Sequence, residues 1–182
     1  KEHGIEHEII DTQIFDLAGE KIRKNSSFCS FFSRMRRGYL YTTALEQGYN
    51  KVALGHHLDD AMESYFMNLF YNGTMRTMPP IYKASNGLEV IRPLIFCRER
   101  QLRAFADSNE IRAIGDEACP GLRFDVKMPH ARATTKELLA KLEEQNPKIF
   151  VSMKAAFSNI QLPTFFYKDL KDIKLNIEDE TI

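Results

Sequence analysis

A short apolar run, Val52-Ala53-Leu54, passes through Gly55 into His56-His57-Leu58-Asp59-Asp60 and at once into residues with helical spacing. No other feature of the chain limits its fold so tightly. Three apolar residues after Asn50-Lys51 and before Gly55 read as a strand buried on both faces. Met62, Phe66, Leu69 and Phe70 then fall at i, i+4, i+7 and i+8, one side of an α-helix that Asn72-Gly73 ends. A buried strand followed directly by a helix is the building unit of a parallel α/β domain.

The neighbouring segments extend the alternation. Glu6-His7-Glu8-Ile9-Ile10 reads as a strand entering a turn at Asp11, and Ser33 to about Gln47 as a helix with Leu40, Ala44 and Leu45 on its apolar stripe and Gly48 as its C′ residue. Met78-Pro79-Pro80 stops regular structure, and Asn86-Gly87 between Ile81-Tyr82 and Val90-Ile91 signals a two-residue hairpin. Arg98 to Asn109 places Leu102, Phe105 and Ala106 at helical spacing, and Ile111 to Ile114 is compatible with another short strand. Thr134-Thr135 opens a helix through about Gln145, and Pro147 opens another in which Ile149, Met153, Ala156, Phe157 and Ile160 share a face; the two are expected to pack as a pair. The tail beyond is charged and unpatterned. The expected architecture is an α/β, Rossmann-like doubly wound parallel sheet over residues 1–130, a helical appendage over 131–162 and a tail over 163–182.

Composition narrows the partners. Lys plus Arg and Asp plus Glu both total 25, so bulk charge gives no attraction for nucleic acid, and such a partner must be met by a local basic patch. The sequence has no apolar run of about 18 residues and no signal-like N-terminus, which predicts a cytoplasmic protein with no membrane partner. Three cysteines, Cys29, Cys97 and Cys119, are too few for a disulfide scaffold and read as reduced thiols or cluster ligands. Residue 1 is Lys rather than Met, which leaves room for the chain to be a portion of something longer.

The richest chemistry lies in Gly55-His56-His57-Leu58-Asp59-Asp60, at the carboxyl end of a strand, where open parallel sheets bind ligands. Carboxylates there can hold magnesium against a nucleotide phosphate, and a histidine can donate a hydrogen bond or move a proton. Capping is an equal reading, since Asp59 or Asp60 is a good N-cap and Asp60-Ala61-Met62-Glu63 resembles a capping box. His56 and His57, if extended, point to opposite faces, so at most one faces a given pocket. Arg34, Arg36 and Arg37 could grip phosphates of an RNA or a nucleotide, or simply occupy a solvated helix face. Arg92, at the end of a hairpin strand before Pro93, suits a specific anion or an ordinary salt bridge. Cys97 reads as a small hydrophobe, whereas Cys29 and Cys119 lie in loop-like segments more compatible with reactivity.

Several separated motifs agree on one family. Cys29-Ser30-Phe31-Phe32-Ser33-Arg34-Met35-Arg36-Arg37-Gly38, Gly55-His56-His57-Leu58-Asp59-Asp60, Met78-Pro79-Pro80, Ile91-Arg92-Pro93-Leu94 and Cys97-Arg98-Glu99 together resemble the tRNA 2-thiocytidine synthetases, a branch of the PP-loop ATPases, through about residues 1 to 160. The resemblance implies an adenine-nucleotide-binding α/β fold and ATP-dependent 2-thiolation of a tRNA cytidine by adenylation and sulfur transfer. It implies ATP and magnesium as cofactors and tRNA as partner, with sulfur from a donor protein or small-molecule sulfide. It places Gly55, His56, Asp59 and Asp60 at the nucleotide, with Asp59 and Asp60 on magnesium. Arg92 falls on the substrate side, Arg34, Arg36 and Arg37 on RNA, and Cys29 and Cys119, with His56 and Arg92, in the chemistry.

Two departures qualify these expectations. The family's Ser-Gly-Gly-x-Asp-Ser phosphate loop does not occur in this sequence, so the chain alone is not expected to hydrolyse ATP. By resemblance Lys1 falls near the end of the family's second helix. The sheet is then N-terminally incomplete, its absent strands supplied by a further segment or by a homodimer. Phe32 stands where the family has the second cysteine of a C-x-x-C pair, which predicts no stable iron–sulfur cluster. Two further readings stay open: a degenerate, non-catalytic family member that binds RNA or a protein partner, and a tRNA ligase of the lysidine-synthetase kind.

Overall fold

The computed structural model describes residues 4–14, 17, 28–112 and 130–165, excepting the side chains of 28–30, 130 and 163. Two compact units divide the chain, residues 1–141 and 142–182. In the first, helix α1 (Phe28–Glu46) leads to strand β1 (Lys51–Ala53), helix α2 (Leu58–Asn72), strands β2 (Ile81–Lys83) and β3 (Glu89–Ile91), and helix α3 (Glu99–Ser108). Helix α4 (His130–Gln145) runs across the division, and the second unit carries α5 (Ile149–Ala156) and a 3-10 turn at Leu162–Thr164.

Each element ends for a local reason. At the end of α1, Gly48 takes φ +77°, its N–H donates to the Leu45 carbonyl at 3.0 Å, and the Tyr49 N–H reaches back to Ala44 at 2.8 Å. That pair of bonds is a Schellman closure, which needs a left-handed residue. Gly73 closes α2 in the same left-handed region, its N–H donating to the Asn68 carbonyl. The start of α2 is capped by His57: its Nδ1 accepts the Asp60 N–H at 3.3 Å, and the Asp60 carboxylate accepts the His57 N–H at 3.1 Å. Asp60 is therefore the reciprocal partner of a capping box, not its cap.

β3 is the central strand of three. It runs parallel to β1, with Val52 opposite Val90, and antiparallel to β2, with Tyr82 opposite Val90. Leu88 and Val90 are wholly buried and Arg92 nearly so, one inward row at a spacing of two. Ala84 donates to the Leu88 carbonyl at 2.8 Å and Gly87, at φ +89°, donates to Ala84, so three residues close the hairpin rather than two. The left-handed glycine takes the bulge position that follows a type I turn.

Other expectations are corrected. Residues 6–10 form no strand; Ile9 is 81% exposed, and no partner strand among the described residues takes up their hydrogen-bonding groups. β1 is not buried on both faces: as the edge of the described sheet it leaves Lys51 and Ala53 exposed and Val52 half-buried. On α2 only the N-terminal half is buried (Leu58, Ala61, Met62 and Glu63), while Phe70 faces solvent. Residues 111 and 112 are not a strand, and 113–114 lie outside the described residues. In α5 the buried residue is Phe150, which shares a side with the half-buried Met153 and Phe157 of the expected face, whereas Ala156 and Ile160 are exposed.

A second apolar cluster holds α1. Ile14 and Phe31 are buried, with Leu17, Phe32, Met35 and Tyr39 packed against them. Phe31 and Phe32 meet edge to face at 6.2 Å.

Candidate functional site

β1 and β3 end side by side, and the Leu54 N–H continues their pairing by donating to the Ile91 carbonyl at 2.9 Å. His56 follows β1 and Arg92 follows β3, so both stand beyond the carboxyl ends of adjacent parallel strands, the expected place for a ligand.

Arg92 is nearly buried. Its Nη1 donates to the Pro79 carbonyl at 2.6 Å, its backbone N–H to the Pro80 carbonyl at 2.8 Å, and its guanidinium carbon lies 5.2 Å from the centre of the Tyr82 ring. The two prolines offer acceptors and no competing N–H. Their loop is fastened to α2, where the Thr77 hydroxyl donates to the Ala61 carbonyl at 2.7 Å and the Asn68 amide to Arg76 at 3.1 Å. No carboxylate pairs with Arg92 among the described residues, and its buried Nε has no hydrogen-bond partner there.

His56 shares this condition: its Nδ1 is buried and unpartnered among the described residues. Burial lowers its pKa below the ordinary 6.5, and Arg92, Arg132 and Arg36 lower it further against the opposing pull of Asp60. The shift favours the neutral imidazole at pH 7. Buried polar groups are ordinarily paired, so two unpaired ones at the end of a parallel sheet mark a place prepared for a polar ligand.

The paired aspartates do other work. Asp59 accepts Arg98 Nε at 3.1 and 3.2 Å, Arg98 Nη2 at 3.1 Å and the Glu99 N–H at 2.7 Å. Asp60 is committed to His57 and to Arg132, whose Nε also donates to Glu63 at 2.7 Å. Lys136 adds a bond to Glu99 at 3.0 Å, which holds the Glu99 carboxyl below its usual pKa. With their oxygens taken by guanidinium and amide donors, Asp59 and Asp60 do not fit as ligands of a resident magnesium ion. Among the described residues no group of three or more His, Cys, Asp and Glu is placed to hold a metal.

Arg34, Arg36 and Arg37 are exposed along α1, and Gly55 is exposed at the end of β1. Cys119 lies outside the described residues, and of Cys29 only the backbone, in the first turn of α1, is described. Phe32 contributes ring surface to the Ile14–Phe31 cluster, where it offers no donor to a metal. Cys97 is a half-buried free thiol whose carbonyl accepts the Leu58 N–H at 2.9 Å.

Sequence reasoning missed Tyr41, Tyr82 and Arg132 as parts of this region, and named Glu63 only in a capping box and Arg98 only within a family motif. Glu63 carried a signal, a charge beside Met62 on the buried side of a helix. Arg132 carried none, since its partner lies 69 residues away.

Residues 11–127 match the PP-loop domain family. The tRNA-cytidine(32) 2-sulfurtransferase of Geobacter metallireducens is 42% identical over 163 residues, 88% of this chain and 62% of that protein. Its namesake in Pseudomonas syringae pv. syringae is 37% identical over 182 residues, 100% and 65%. The one in Syntrophotalea carbinolica is 39% identical over 173 residues, 94% and 65%. The chain thus spans just under two thirds of the length of these relatives. Its fold is that of the U34-tRNA thiolase NcsA from Methanococcus maripaludis, solved with its 4Fe-4S cluster, at TM-score 0.65 and 22% identity, covering 87% of this chain and 52% of that one. An α/β sheet with its unpaired polar groups beyond the parallel strand ends, and a family match over most of the first unit, agree: the chain belongs to the PP-loop domain family.

Proposed function

We propose that this chain is the larger part of a cytoplasmic, ATP-dependent enzyme that thiolates a tRNA cytidine at C2. In the reaction proposed, the cytidine O2 attacks the α-phosphorus of ATP and pyrophosphate leaves. A sulfur nucleophile then attacks C2, and the C2–O2 bond breaks with its electron pair to release AMP. The observation that carries this reading is the juxtaposition of Arg92 and His56, each with a buried nitrogen unpartnered among the described residues, beyond the ends of β1 and β3. Arg92 neutralises charge on the activated oxygen and phosphate, and His56 gives or takes a hydrogen bond at the base without adding a second charge. The backbone at Gly55 leaves room for the nucleotide, since a Cβ there meets nothing within 4 Å. Arg34, Arg36 and Arg37 meet the tRNA backbone, and Cys29 and Cys119 carry or receive sulfur from a donor protein or sulfide.

Magnesium, when present, travels with the nucleotide and not on Asp59 and Asp60. Phe32, packed against Ile14 and Phe31, favours sulfur transfer without a stable iron–sulfur cluster. Stoichiometric iron with thiolate-to-iron absorption in anaerobically purified protein would overturn that part. The same phenylalanine favours a second reading, a scaffold that binds RNA without turnover. The complete gene product, expressed in cells lacking their own 2-thiocytidine synthetase, separates the two. Restored 2-thiocytidine in digested tRNA, sharply reduced but still measurable with Arg92→Ala, supports the enzyme; no restoration by the unsubstituted protein leaves the scaffold.

A further inference from the structure

Arg92 ends a row that is otherwise apolar. Leu88, Val90 and Arg92 project to the same side of β3, and a guanidinium placed there with no carboxylate partner among the described residues needs another means of being held. Tyr82 supplies it. Tyr82 stands opposite Val90 across the antiparallel pair, so it shares their face and is the diagonal neighbour of Arg92, within reach of a long side chain. The guanidinium carbon lies 5.2 Å from the ring centre, within cation–π range. The Tyr82 hydroxyl in turn meets the Tyr41 hydroxyl of α1 at 2.8 Å. Burial and the bond to Tyr82 push the Tyr41 pKa up to about 12, so this link persists through the neutral range. Tyr41 sits one helical turn beyond Arg37, on the helix that carries the exposed arginines.

We infer that Tyr82, braced by Tyr41, is a positioning residue for Arg92: the ring fixes the plane of the guanidinium, and the hydroxyl pair fixes the ring to α1. The inference rests on the proposed role of Arg92 at the reacting base and adds what sets its orientation. Without the ring, the guanidinium keeps its bond to Pro79 but swings about it, and the polar edge left for a ligand is no longer held in one direction.

The test uses the complete gene product and single-turnover thiolation of tRNA, followed by nucleoside mass spectrometry. Tyr82→Leu is expected to lower the rate constant about tenfold with little change in the tRNA concentration giving half-maximal rate, because Arg92 acts at the base and not on the RNA backbone. Tyr82→Phe keeps the ring and is expected to lose only about threefold. In an Arg92→Ala background, Tyr82→Leu is expected to add nothing. An equal loss from Tyr82→Leu in that background, or an effect confined to tRNA affinity, overturns the inference. A second readout needs no activity: phenylglyoxal labelling of Arg92, mapped by peptide mass spectrometry. Labelling is expected to quicken severalfold in Tyr82→Leu and in Tyr41→Phe at unchanged thermal midpoints. An unchanged labelling rate in both overturns the inference even if the protein proves not to thiolate, so its failure is distinguishable from failure of the proposed function.

Discussion

The Asp59 carboxylate accepts the backbone N–H of Glu99 at 2.7 Å while receiving the guanidinium of Arg98, so the start of α2 is fastened to the start of α3 by one side chain. A carboxylate at a helix N-terminus satisfies an orphan donor and complements the dipole. Asp59 and Arg98 are both mostly buried, so removing Asp59 takes away the acceptor of the Glu99 N–H together with one anionic partner of Arg98.

Asp59→Ala is therefore expected to destabilise the protein by roughly 2–4 kcal/mol, the range for losing one partner of a largely buried pair with its hydrogen bonds. The loss should be the same with and without millimolar magnesium. Urea unfolding under both conditions checks it, and a stability gain of the unsubstituted protein from magnesium alone, absent in Asp59→Ala, would sink the structural assignment.

Arg132 and Glu63 give a second expectation. Glu63 is 4% exposed and its carboxylate rests on Arg132, so Arg132→Ala leaves a buried anion without its donor. A cost of about 2 kcal/mol follows, and Arg132→Ala combined with Glu63→Gln should recover part of it. A double-mutant cycle by urea unfolding measures the coupling; additive losses would mean the pair contributes nothing.

His56 predicts a pH dependence. Its pKa is lowered in the folded protein by burial, so below about 6.5 the unfolded chain binds a proton that the folded one resists. Stability contributed through His56 is complete above the unfolded value and is lost as pH falls through the window down to the depressed folded value. His56→Gln should flatten that slope. Unfolding midpoints between pH 7.5 and about 5 test it, and an unaltered slope in His56→Gln would assign the titration elsewhere.

The three arginines of α1 are exposed, so replacing Arg34, Arg36 and Arg37 together by Ala should leave the thermal midpoint unchanged. It should cut the slope of log affinity for tRNA against log salt by roughly 2 to 3, near one unit for each phosphate no longer neutralised. Filter binding over a salt series reads it, and an unchanged slope would move the RNA interface off α1.

What could be read from the sequence follows the range of the forces involved. Helices α1 to α5 and the hairpin announce themselves through spacing, Gly48, Gly73 and Asn86-Gly87, all local devices, although α1 begins at Phe28 rather than Ser33 and α4 at His130 rather than Thr134. The match to the PP-loop domain family bears out the resemblance on which the fold was expected. Where burial depends on what lies alongside, as at Ile9, Val52 and Phe70, periodicity gave the segment a face but could not say whether it is covered. The site divides in the same way. His56 and Arg92 were visible as residues at strand ends, but the engagement of Asp59 and Asp60 depends on Arg98 and Arg132, which lie 39 and 72 residues away. Motif spacing contains no record of such partners.

The inward row of β3 couples two properties usually adjusted separately. Val90 is paired to Val52 on one side and to Tyr82 on the other, and Arg92 lies two residues on. A slip of one residue against either neighbour would turn Leu88 and Val90 outward and drive Glu89 toward the interior. Any chain that placed Arg92 wrongly would thus also fail to bury its sheet. The position of Arg92 along β3 is inspected by the act of folding itself, and only the direction of its guanidinium is left to Tyr82.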